Sequence, residues 1–540
     1  MKRACIALLL FTVACTKLPV PQNVPFTFAD QGWTDAERQQ FYHESQGTRL
    51  LPYKWFLALE QPDSSQLLRD PEYMARFRFL PDANTQFNPD LLPVGFTKTK
   101  DLKGEEWVGL TCAGCHTAQI NYHGQGYRID GGPGLQHVNR FAQYMGLSLG
   151  ATLIDLFKFR RFAERVLGKN YTDQTRDQLY ADVTKFANSM IATAMTAQRL
   201  RLFPVADGYG RLDALGGGSN LILPQLAPGD VNYAPADGNV SYPHLWIAPR
   251  YDWVEWNRSI AQPMTRNMAE ALGVNADLVL QPVGVLPQFS SSVSVNSLFW
   301  IEQQIEKLQP PKWPESLFGP IDRALAERGR LIYEAKCASC HAMTEMVEEN
   351  GHKFIKTRVY SFDEIGTDPI DATNFNKRRV DASSLGWGTN VPAHEIVNRL
   401  STSVSKLQYN QMNLTPEERL RMDGYRASLL EAPLGYGTRR LDGAWATAPY
   451  LHNGSVPNLY ELLLPAAKRS KTFYTANRDF DPKHLGYQSH RMAGATKFDT
   501  SLRGNSNSGH EFSNTSGPGV LGPELSEAER WAIIEYMKTK

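Results

Sequence analysis

Apolar residues recur at helical spacing in three stretches, Phe157 to Leu202, Ile321 to Lys336 and Ser526 to Lys540. The second is amphipathic and runs directly into Cys337. The third begins with Ser526 and places Glu529 three residues on, the spacing of a capping box. Shorter helical patterns at Asp35 to Tyr42 and Leu67 to Arg78 lie within a Pro- and aromatic-rich segment that begins at Val20. Between Ala206 and Val240 the pattern dissolves into Gly, Asn, Asp and Pro, including Gly216-Gly217-Gly218, which predicts mostly loop. In Gln309-Pro-Pro-Lys-Trp-Pro314 three prolines forbid a continuous helix and predict a boundary.

At 540 residues and 42% apolar content, the chain is long enough for two or more domains with large cores. Charges nearly cancel, 57 Lys+Arg against 56 Asp+Glu, without a sustained basic run, so nucleic acid is excluded as an expected partner. Lys2 and Arg3 precede an apolar stretch from Ala4 to Ala14, the pattern of an export signal over residues 1–15 that is too short to span a bilayer. Cys15 follows Val13-Ala14 and is a candidate lipidated N-terminus, with plain secretion as the alternative. The expected location is the periplasm, tethered at most through that lipid.

Counting cysteines narrows the chemistry. Of six, Cys5 and Cys15 belong to the signal and the other four form two Cys-x-x-Cys pairs, each followed by His: Cys112/Cys115/His116 and Cys337/Cys340/His341. In Cys-x-x-Cys-His the thiols reach the two vinyl groups of a haem, and the histidine is held beneath the iron. At this Cys and His content a chance match is expected on the order of once in a thousand chains, so two matches predict two covalently bound haem c groups. Zinc would require a further Cys/His pair at each site, and no spare cysteine exists. A helix leading into the second motif and another at the C-terminus are the frame of a cytochrome c domain. The expected fold is therefore mainly α with abundant loop: an extension over residues 16–95, a first haem domain over 96–310 with loop insertions, and a second over 311–540.

Axial ligands on the far side are less plainly marked. His452, in Ala448-Pro-Tyr-Leu-His-Asn-Gly-Ser455, lies in a Pro- and Gly-bounded turn and is the candidate for the second iron, with Met343, Met346, Met412 and Met422 as rivals. No equivalent candidate exists for the first iron, since His123 and His137 read as polar loop residues. An iron with one protein ligand has an open face for peroxide or dioxygen.

These motifs, with Tyr127-Arg-Ile-Asp-Gly-Gly132, Tyr209-Gly-Arg-Leu-Asp-Ala-Leu215, the run Pro243-His-Leu-Trp246 to Trp253-Val-Glu-Trp-Asn257, and the turn around His452, resemble the dihaem cytochrome c peroxidase superfamily, in its branch of bacterial dihaem rubber oxygenases. The resemblance implies an oxidoreductase in which the second haem relays electrons to a reactive first haem. It also implies a C-terminal histidine on the second iron, and calcium between domains in related peroxidases, although no EF-hand loop is present. The Trp-Asp-Gly-Arg segment and following acid/base Glu of ordinary dihaem peroxidases are missing, which leaves Trp246, Trp253 and Arg250 as candidate catalytic residues near the first haem, and Asn257 and Arg266 as further polar candidates. Expected partners are a small electron-donor protein or quinol and a small oxidant. The alternatives are a dioxygenase cleaving an apolar alkene and a non-enzymatic electron carrier.

Overall fold

The computed structural model describes residues 17–540; the export-signal reading and Cys15 lie outside the described residues. Two three-stranded sheets organise the N-terminal part. Strand β1 (Phe26–Phe28) pairs in parallel with the second arm of a hairpin described below, helix α1 (Asp35–His43) follows, and β2 (Leu51–Pro52) joins β3 (Phe96–Lys100) and β4 (Glu106–Leu110) in the order β2-β4-β3. The hairpin consists of β5 (Thr117–Tyr122) and β6 (Gln125–Asp130), whose alternating side chains and His123-Gly124 turn suit a strand pair. The Thr34 side chain accepts from Glu37 N, closing a capping box that starts α1 where the pattern predicts it.

Helices α2 (Val138–Ile154), α3 (Leu156–Leu167) and α4 (Asp173–Arg199) follow. They cover a core of interlocking aromatics: Phe96 meets Phe56, Phe79 and Phe141 at centroid separations of 5.8, 4.8 and 5.5 Å. All four rings are essentially fully buried, each worth about 1.5–3 kcal/mol in transfer from water. Helix α5 (Ala214–Ile222) stands where a loop is expected. Asp213 accepts from Gly216 N at 2.6 Å and caps it, and Gly218 packs close to Gly273, so the glycine run serves helix approach and not a turn.

The second part contains α6 (Pro263–Gly273), α7 (Val295–Lys307), α8 (Arg323–Lys336), α9 (Ala393–Gln411) and α10 (Glu527–Met537). Helices α8 and α10 cross at Gly329, where any Cβ would lie 1.9 Å from Ala532 O. Ser526 and Glu529 complete the predicted capping box of α10. The stretch Leu67 to Arg78 is helical only over Pro71–Ala75.

A mainly α fold is not what forms. The chain is 39% helix and 16% strand, a mixed α/β structure with many small sheets. Long segments between helices, such as those bearing Thr472–Thr475 and Thr496–Asp499, pair into two-stranded ladders because backbone packed against the core must find hydrogen-bond partners. Such ladders leave little hydrophobic period in the sequence. No helix among the described residues is long and apolar enough to cross a membrane.

Candidate functional site

The first Cys-x-x-Cys-His segment bridges the two N-terminal sheets. β4 ends at Leu110, Cys112–Gly114 form one 3-10 turn, and β5 starts at Thr117. Gly95, at φ +84°, packs so tightly on Gly114 that a Cβ would lie 2.1 Å from its backbone, and Gly95 O accepts from Thr111 N at 2.8 Å. The N-terminal extension reaches this turn: Gln46 Nε2 donates to Cys112 Sγ at 3.0 Å, while Arg38 (2.7 Å) and Tyr42 hold the buried Asp130 at the end of β6.

His116 donates Nδ1–H to Pro243 O at 2.7 Å. The second motif repeats this device, with His341 Nδ1–H donated to Arg439 O at 2.7 Å. A carbonyl only accepts, so both rings carry the proton on Nδ1 and present the Nε2 lone pair, the tautomer and orientation a metal ligand needs. Burial lowers the proton affinity of both rings, that of His116 to about 4, so they are neutral at pH 7. Burial also pushes the thiols of Cys112 and Cys115 up to about 12 and that of Cys337 to about 11, and all four cysteines are free of disulfides. Half-buried thiols, protonated at those three positions and set beside an oriented histidine, fit thioether attachment better than a thiolate metal site.

Cys337 and Cys340 of the second motif are both free and half-buried, with different surroundings. The two are not held alike. Cys337 packs against the main core, whereas Cys340 is half-buried at the surface turn Ala338–His341, outside that core, with Tyr360 beside it. Its Sγ accepts from the adjacent Ser339 Oγ at 3.9 Å, a long contact within the turn itself. The physical reason is the setting: the second motif rides on the end of α8, which is covered on the face that meets α10, while the first is clamped between two sheets. Cys112 thus takes a contact from the N-terminal extension, and Cys340 one from its own turn.

The ring facing His341 belongs to His510. Their centroids are 6.1 Å apart at 67°. A metal–imidazole bond of about 2 Å on each side, with ring centres roughly 1 Å farther out, puts two axial imidazoles about 6 Å apart. His510 is neutral, its pKa brought to about 3 by burial and then by His341. His452 lies elsewhere: it stacks on Tyr436 at 3.8 Å and 23°, is buried, and is held near pKa 3 by burial and Arg211. The His452 carbonyl accepts from Ser241 N at 2.8 Å. No sequence signal singles out His510, because Ser-Gly-His-Glu is an ordinary loop tetrapeptide.

The rival methionines are also dispersed. Met346 and Met412 are exposed, Met422 is buried in the main core, and Met343 Sδ accepts from Thr438 at 3.7 Å. His123 forms the exposed hairpin turn, and His137 caps α2 against Tyr209. At the first motif the ring paired with His116 is that of Tyr242, at 6.2 Å and 61°, and its hydroxyl donates to Gln136 O at 3.3 Å.

The Pro243–Asn257 run lies between the two motifs, and the candidate residues within it separate. Trp246 is fully buried, donates Nε1–H to Asp442 O at 2.8 Å and stacks on His244 at 4.6 Å. Trp253 is half-buried at a turn closed by Asp252. Arg250 is exposed at the end of the turn Ala248–Arg250. Asn257 is buried, with both side-chain polar atoms lacking partners among the described residues. Arg266 pairs with Glu302 at 2.5 Å and approaches Glu270 at 3.9 Å. Glu270, which the sequence did not mark, is about half exposed and lies within electrostatic reach of Cys112 and Cys115; surrounding protein and neighbouring carboxylates push its pKa up, against the pull of Arg266. No group of three or more His, Cys, Asp or Glu suited to a metal ion occurs among the described residues, so nothing here supports calcium.

Comparison with known proteins agrees with this chemistry. A family model described as RoxA-like, cytochrome c-like matches residues 435–474, the segment that carries Arg439, Trp445 and His452. The Sinorhizobium fredii protein described as uncharacterized protein y4iJ is 36% identical over 576 residues, covering 98% of this chain and 95% of that protein. A second S. fredii protein, uncharacterized protein y4iM, is 27% identical over 316 residues, 55% of this chain and 64% of its own length. The chain therefore belongs to the family of y4iJ, and it carries a RoxA-like cytochrome c segment that supports haem c binding.

Proposed function

We propose that the protein is an exported dihaem c-type cytochrome oxidoreductase of the RoxA-like kind, with haem c on Cys112/Cys115/His116 and on Cys337/Cys340/His341. The observation that carries this reading is the asymmetry of the two histidines. His341 faces His510 at the separation of an axial pair, whereas the ring in contact with His116 is that of Tyr242 and the nearby His244 ring stacks on Trp246. Two imidazoles close an iron for electron relay; one leaves a face for dioxygen or peroxide. When bound, haem c supplies reversible one-electron chemistry at both positions. The chain orients each imidazole through a backbone carbonyl, and near the first site Arg266 and Glu270 offer a cation and a carboxyl. A polar pair of this kind suits an oxidant with a proton demand, peroxide above all, better than a wholly apolar pocket would. Oxidative cleavage of an apolar alkene is the second reading, favoured by the RoxA-like match.

The test is a haem count by pyridine haemochrome with electron paramagnetic resonance of the purified holoprotein. Two haems, one low-spin and one high-spin or exchangeable by cyanide, are expected. A single haem, or two irons closed to cyanide and carbon monoxide, would sink the reading. Peroxide turnover with a reduced donor, set against product formation from polyisoprene and dioxygen, then separates the two chemistries.

A further inference from the structure

We propose that Arg439 is the junction through which the two haem sites exchange electrons, an inference that rests on the dihaem reading above. The proximal histidines do not bond to unrelated parts of the chain. His116 donates to Pro243 O at 2.7 Å, the next residue's carbonyl, His244 O, accepts from Arg439 Nη1 at 3.4 Å, and Arg439 O accepts from His341 at 2.7 Å. One dipeptide and one arginine thus join the two imidazoles by covalent bonds and three hydrogen bonds. Electron tunnelling decays less steeply through bonds and hydrogen bonds than across gaps, so this chain is a favoured route between the irons.

Arg439 is built for a fixed position. It is 9% exposed, its guanidinium lies 4.7 Å over the ring of Trp256, and Trp256 Nε1 donates to Ser241 O at 2.9 Å, two residues before Pro243. The strand end before it is pinned as well, since Gly437 N donates to Trp256 O at 2.9 Å and the Arg258 side chain fills the space a Cβ at Gly437 would need. No carboxylate pairs with Arg439 among the described residues, and its Nε is buried without a partner. A buried cation without a counter-ion costs stability, and a position between two redox centres is a reason to keep one. Its charge favours an electron on either iron, and its side chain supplies the longest and most adjustable link of the chain. In the working direction the second iron would lose one electron and the first would gain it, with no proton leaving either imidazole; the flash experiment reads the reverse step over the same path.

The experiment uses the full-length holoprotein, wild type beside Arg439→Met and Arg439→Lys, each first shown to hold two haems. The first haem is reduced and bound to carbon monoxide while the second stays oxidised; a laser flash releases the ligand, and absorbance follows electron flow to the second haem. Arg439→Met is expected to slow this step at least tenfold and to shift both midpoint potentials downward, with the low-spin resonance of the His341/His510 centre unchanged. Arg439→Lys keeps the charge but loses the fork, so its potentials should stay near wild type while its rate still falls. A rate within twofold of wild type in either variant would overturn the proposal and point instead to the stacked His244–Trp246 pair. A wild type holding one haem would fail the dihaem reading itself, which the haem count reveals before any flash.

Discussion

The two Cys-x-x-Cys-His segments have the same five-residue logic and almost opposite surroundings. The second sits at the end of α8, locked by a helix crossing at Gly329 and faced by a second imidazole from a distant loop. The first sits between two sheets, locked by the Gly95–Gly114 contact and faced by the Tyr242 ring, with His244 stacked on Trp246 nearby. In both, a backbone carbonyl at 2.7 Å orients the histidine, so the ligand on the attachment side is built the same way and the difference lies in what the fold brings to the other side. On the dihaem reading proposed above, the shared motif would set attachment and the tertiary structure would set whether each iron relays electrons or reacts.

The comparison breaks most visibly at His510. His510→Ala should convert the second centre from low-spin to a form that binds carbon monoxide when reduced, whereas His452→Ala should leave its low-spin resonance in place; the reverse result would restore His452 as the ligand. Next come the two glycine locks. Gly95→Ala meets backbone at 2.1 Å and must also hold φ +84°, so a loss of about 3 kcal/mol or more is expected in urea unfolding. Gly329→Ala meets Ala532 O at 1.9 Å but keeps a helical conformation, and should cost about 2–3 kcal/mol. Equal losses would mean that backbone strain adds nothing at the first site.

A smaller effect separates structural from ligand histidines. Burial holds His137 at a pKa of about 3, far below its ordinary value of 6.5. Above pH 6.5 both folded and unfolded chains keep this ring neutral; as the pH falls from 6.5 towards 3 only the unfolded chain takes the proton, and stability drops. His137→Gln should flatten the decline of Tm between about pH 7 and 5 without altering either haem spectrum. Asp207, raised to about 6 by burial 3.7 Å away, pulls the other way, because it gains its proton more readily in the folded state. Smallest of all, Arg250→Ala should change stability by less than about 0.5 kcal/mol and leave turnover intact, as an exposed, unpaired side chain predicts.

Several elements were legible before the fold was known. Asp35 to Tyr42, the helix into Cys337 and the C-terminal helix with its Ser526/Glu529 box all form, because helical period and capping are local properties. The glycine run was misread as loop because its role is close approach of α5 to α6, a contact no local rule expresses. The α-rich expectation failed for the same reason: short ladders such as β5/β6 and Thr472–Thr475 with Thr496–Asp499 form where neighbouring backbone needs partners.

By itself the sequence marked two Cys-x-x-Cys-His segments as haem-attachment candidates, since thiol spacing and an adjacent histidine are local facts that survive any fold. It also determined the helices that carry their own caps and period. Only the tertiary structure decided which histidine faces His341, which residues stand beside His116, and how Arg439 comes to touch the surroundings of both motifs. Those choices depend on contacts between residues tens to hundreds of positions apart, and nothing in the local pattern at His510, Glu270 or Arg439 records them.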